Sequence, residues 1–65
     1  MGNPYKSSIW DILEAMERYG GGFVKQLAIL YRHADGVNQT RLENAFQSYF
    51  TKYDEIAQKH YNDIG

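Results

Sequence analysis

Between Asn38 and Tyr61 the residues Leu42, Phe46, Tyr49, Tyr53, Ile56 and His60 recur at spacings of 4, 3, 4, 3 and 4, a repeat that only an α-helix gathers onto one stripe. A second row, Phe50, Tyr53, Ala57 and Tyr61, runs beside the first, so the apolar face is wider than one neighbouring helix covers. The pattern predicts a long C-terminal helix over residues 38–61, roughly 35 Å at 1.5 Å per residue. Its weakest helix formers lie together at Ser48, Tyr49, Phe50 and Thr51. The stripe keeps its phase through them, which favours one continuous helix over two short ones.

Two shorter helices precede it. Ile9, Ile12, Leu13 and Met16 fall at i, i+3, i+4 and i+7, with Asp11, Glu14, Glu17 and Arg18 on the opposite face. Ser8 and Asp11 form an S-x-x-D start, and Gly20 follows Tyr19 as a stop that enters the left-handed region without a Cβ penalty. Helix 1 is therefore expected over residues 8–19. Gly20-Gly21-Gly22 then breaks the chain as a tight turn between closely packed helices. Helix 2 is expected over residues 23–34, with Phe23, Leu27, Leu30 and Ala34 inward and Val24, Ala28 and Tyr31 broadening that face. Asp35-Gly36 signals a turn, and Asn38 is a suitable cap for helix 3.

The expected fold is all-α: one small three-helix domain over residues 1–65, with helices 1 and 2 packed against the N-terminal half of helix 3. Its expected core is Ile9, Leu13, Met16, Phe23, Leu27, Leu30, Leu42, Phe46 and Tyr49. A chain of 65 residues buries only roughly 60% of its unfolded surface, so chains of this size usually rely on disulfides, a metal or self-association. Cysteine is absent, and His33 and His60 stand 27 positions apart without a carboxylate at ligand spacing. No metal and no cofactor is expected. Self-association is the remaining supplement, and a homodimer is expected through Tyr53, Ile56, Ala57 and Tyr61, which the short helices 1 and 2 would leave bare.

Charge narrows the range of partners. Seven Lys and Arg against eight Asp and Glu give a net charge of −1, and neither sign forms a block. That balance argues against nucleic-acid binding driven by overall charge. No stretch reaches the length of a membrane span, no signal-peptide h-region is visible, and Lys6 stands where a myristoylation motif requires Ser or Thr. A soluble, cytoplasmic protein without a membrane partner is expected.

Candidate chemistry is sparse. Ser7, Ser8 and Ser48 lack an elbow or oxyanion-hole motif, and the adjacent acids Asp54 and Glu55 point about 100° apart on a helix. The triglycine has no accompanying G-x-x-x-x-G-K-[ST] pattern, and the two histidines sit near helix C-termini, where a cation complements the dipole. No catalytic residue is assigned, and the chain is not expected to be an enzyme. Asn38, Gln39, Thr40 and Arg41 are residue types that read base edges, and the Gly36 turn before them gives a helix-turn-helix outline. Asp35 and Glu43 dilute the basic patch that Lys25 and Arg32 would supply. Aromatic residues make up 15% of the chain. Among them Trp10, Tyr31 and Tyr53 flank the main stripes, and with Arg32 at the rim they have the composition of an interface hot spot.

The run Gly21-Gly22-Phe23-Val24, Leu27-Ala28, Tyr31-Arg32-His33-Ala34-Asp35, Asn38 and Arg41-Leu42-Glu43-Asn44-Ala45-Phe46 with Tyr49-Phe50 resembles small helical proteins encoded by phages and prophages, over about 30 of the 65 residues. The resemblance carries no functional residue across. It implies a class of use, in which a small accessory protein binds and inhibits or redirects a host protein such as a defence complex. Two functions are thus carried forward: a non-enzymatic protein-interaction module that binds a host protein, and a small helix-turn-helix protein that reads DNA with the start of helix 3.

Overall fold

In the computed structural model, which describes residues 5–62, Ser8 opens the first helix as its sequence motif implies. Its backbone is extended and its Oγ accepts the Asp11 N–H at 3.2 Å, satisfying one of the donors that a helix start leaves free. Four α-helices follow in the described residues: α1 (Ile9–Tyr19), α2 (Gly22–His33), α3 (Gly36–Ala45) and α4 (Gln47–Ala57), the last running into a π-helical turn (Gln58–Asn62). No strand occurs among the described residues.

The first correction concerns Gly20. Its φ of −84° and ψ of 161° are extended, not left-handed, so the need for glycine comes from crowding. A Cβ there would stand 2.5 Å from the Met16 carbonyl oxygen and 2.5 Å from Val24 Cγ1, closer than folded chains tolerate. Gly21 and Gly22 have open space at the same position. One glycine of the three lets α1 and α2 close together. Farther along, Asp35 rather than Asn38 caps α3: its Oδ1 accepts the Asn38 N–H at 2.9 Å, and Gly36 is already helical.

The second correction is the long helix, which is two helices. Phe46, at φ −120° and ψ 37°, closes α3 by donating its N–H to the Leu42 carbonyl at 2.9 Å. Its own carbonyl accepts from Tyr49 at 3.0 Å and from Phe50 at 3.3 Å, which starts α4. The break therefore precedes the Ser48 to Thr51 segment. It separates the phases of the two halves. In α4 the buried residues are Phe50, Tyr53, Asp54 and Ala57, at i, i+3, i+4 and i+7, while α3 has no fully buried residue.

The core lies between α1, α2 and α4. It comprises Ile12, Leu13, Ala15 and Met16 from α1, Val24, Leu27, Ala28 and Tyr31 from α2, and Phe50, Tyr53 and Ala57 from α4. Of the expected core, Leu13, Met16 and Leu27 are inside; Ile9, Leu42 and Phe46 are half-buried against it; Phe23, Leu30 and Tyr49 are exposed. The cause is that α1 packs on α2 and α4, with α3 at the edge of the bundle. The four residues expected to bind a second copy are drawn into the same packing. Tyr53 and Ala57 are buried within the chain, on the helix that packs on α1, and Ile56 and Tyr61 are half-buried against the core.

Candidate protein interface

The structure does not bring the predicted hot spot together. Tyr31 and Tyr53 are 4% and 5% exposed and belong to the core. The Tyr31 hydroxyl donates to the Glu43 carboxylate, tying α2 to α3, and its ring lies 5.4 Å from that of Phe50. Burial and the neighbouring Glu43 carboxylate both push the Tyr31 phenol above its ordinary pKa. Arg32 donates to Glu17 at 2.7 Å, joining α2 to α1. Trp10 is 60% exposed on α1, whereas both tyrosines are inside. It is not part of the core.

The four residues assigned to base reading lie on the first turns of α3, and two of them serve the fold. Gln39 Nε2 donates to the Tyr31 carbonyl at 3.1 Å, and the Thr40 hydroxyl donates to the Gly36 carbonyl at 3.1 Å. Asn38 and Arg41 are exposed.

A different surface stands out, built from residues expected inside. Phe23, at the start of α2, packs 5.6 Å from Phe46 and 5.5 Å from Tyr49, and the latter two rings are 6.2 Å apart. The three rings form an aromatic cluster at the surface, with Phe23 itself 56% exposed. Seven residues along the same helix, Leu30 is 54% exposed. It borders a groove of about 490 Å³ between α2 and α3, whose apolar lining is Leu30, Ala34, Leu42 and Ala45. The Phe46 N–H donates to the Leu42 carbonyl at 2.9 Å, which sets the cluster beside the groove as one apolar strip. His33, Asn38 and Arg41 supply the polar part of the lining.

A signal for this strip was present in the sequence. Helix α2 carries two adjacent apolar rows, Phe23-Leu27-Leu30-Ala34 and Val24-Ala28-Tyr31, too broad for a single contact face. The interior takes Val24, Ala28 and Tyr31 together with Leu27 of the first row, and leaves Phe23 and Leu30 outside.

Among the described residues no group of three or more His, Asp or Glu could hold a metal ion, and no helix is long and apolar enough to cross a membrane. No protein-family model, curated protein or solved structure matches the chain.

Proposed function

We propose that this chain is a non-enzymatic protein-interaction module whose binding face is the strip formed by Phe23, Leu30, Leu42, Phe46 and Tyr49. One observation carries the reading: two large apolar residues of one helix, Phe23 and Leu30, are each more than half exposed and are continuous with an aromatic cluster and an apolar groove. Single exposed apolar side chains are ordinary, whereas a contiguous patch beside a groove marks an interaction site. The resemblance to small phage and prophage proteins supports a host protein as the partner. The base-reading alternative is weakened by the use of Gln39 and Thr40 within the fold.

A photo-crosslinking residue placed at Leu30, in cells that naturally express the protein, tests the reading. A discrete protein adduct from Leu30 is expected, with none from the same probe at exposed Lys59 on the π-helical turn. Absence of an adduct at Leu30, or equal labelling from both positions, overturns it.

A further inference from the structure

We infer that the occupant of this face is an amphipathic helix of the partner protein, bearing two apolar anchors about two turns apart and a carboxylate at the end that lies over Arg41. The inference rests on the protein-interface reading above and names the chemistry of the partner.

Shape comes first. Phe23 and Leu30 are separated by seven residues of one helix, or about 10.5 Å. The aromatic cluster lies at one end of this span and the groove at the other. An elongated apolar strip between helices matches the helix-in-groove mode, in which anchors at i, i+3 or i+4, and i+7 descend into successive depressions.

Charge selects among amphipathic helices. Arg18 is paired with Glu14 at 3.1 Å and Arg32 with Glu17 at 2.7 Å, whereas Arg41 makes no ion pair with any described residue. It stands at the edge of a groove to which no carboxylate contributes. The nearby acids are engaged: Glu43 accepts from Tyr31, and Asp35 caps α3. An incoming carboxylate would therefore meet a cation without an internal competitor. A second copy docking through the same face would bring no such carboxylate, because the strip has none.

The test uses the full chain and a panel of amidated synthetic helices of about 16 residues, long enough to form helix on docking. Each holds Leu, Phe or Trp at i and i+7, and either Glu or Lys one turn beyond. The Glu peptides are expected to bind about fivefold more tightly than their Lys counterparts, the scale of one exposed charge reversal. Arg41→Glu should invert the order, and Leu30→Asp should abolish both. Equal binding of Glu and Lys peptides, unmoved by Arg41→Glu, overturns the assigned charge while leaving the apolar face standing. Failure of the whole panel, with a crosslink still formed at Leu30, overturns the helical occupant but not the interface. Tight binding of a mixed-sequence DNA duplex that is lost in Arg41→Glu, or a dimer in sedimentation that is lost in Leu30→Asp, overturns the proposal in favour of nucleic acid or a second copy.

Discussion

Asp54 on α4 fastens Ser7 across 47 positions of chain: its Oδ1 accepts the Ser7 N–H at 2.8 Å while its Oδ2 accepts the Lys6 N–H at 3.1 Å. The Ser7 hydroxyl donates back to the Asp54 carbonyl at 3.3 Å, and both residues are buried. Tyr5 continues the contact, its ring stacked 6.4 Å from that of Phe50. The segment leading into α1 is thus held on α4 immediately before Ser8 caps α1, so the fastening sets where α1 enters the core. A buried carboxylate is tolerated here because two backbone donors satisfy it.

Asp54→Ala leaves those two donors without their acceptor, and the loss should be about 2 to 3 kcal/mol. In a domain this small that corresponds to a fall in Tm of roughly 10 °C or more. Thermal and urea unfolding check the size of the effect, and amide exchange at Ser7 checks its place. An unchanged Tm would mean that the segment contributes nothing to the fold.

The three glycines should separate cleanly. Gly20→Ala forces a methyl group against the Met16 carbonyl and the Val24 side chain, and overpacking of this kind costs about 1 to 3 kcal/mol. Gly21→Ala and Gly22→Ala meet nothing within 4 Å. They should be neutral or stabilise by up to about 1 kcal/mol, because alanine restricts the unfolded chain. Urea midpoints of the three variants decide the matter, and equal effects at all three positions would contradict the close approach at Gly20.

Alkaline pH should destabilise the fold. Burial raises the pKa of Tyr5, Tyr31 and Tyr61, and the Glu43 carboxylate adds to the rise at Tyr5 and Tyr31. The folded state therefore holds these phenolic protons more tightly than the unfolded chain does. Their contribution to stability is whole below the unfolded value near 10 and is lost as pH rises above it toward the folded values. Tyr31→Phe should cost about 1 to 2 kcal/mol at neutral pH through the lost bond to Glu43, yet make the decline above pH ~10 shallower. Circular dichroism melts across that range would show an unchanged slope if Tyr31 were not one of the groups involved.

Helix identity was legible where local chemistry decides it. Ser8 caps α1 as its motif implies, and α1 and α2 keep their boundaries within a residue or two. The row Phe50, Tyr53, Ala57 was also legible, though as a surplus face and not as the core it forms. What escaped was the break at Phe46, an aromatic residue that ends one helix and starts another without a side-chain cap. The helix beyond it packs on α1, a contact between distant parts of the chain that local spacing does not reveal. Phe23 and Leu30 read as interior from the spacing of α2 alone, and Tyr49 from a stripe carried through Phe46, so the site is hidden among the expected core residues.

Leu27 and Leu30 offer the most direct test of where the buried face of α2 ends, because residue type and helix are the same and only exposure differs, at 4% against 54%. Truncating a buried leucine removes its transfer energy and leaves a cavity, so Leu27→Ala should cost about 2 to 5 kcal/mol. An exposed leucine loses little on truncation, and Leu30→Ala should stay within about 0.5 to 1 kcal/mol of the parent. Binding should reverse the ranking. A Leu30→Ala chain that remains folded should lose crosslinking from a probe moved to the Phe23 position, since the groove end of the strip no longer anchors the partner, whereas destabilised but folded Leu27→Ala should retain it. Equal stability losses at the two leucines would place Leu30 in the core and remove the surface on which the binding face depends.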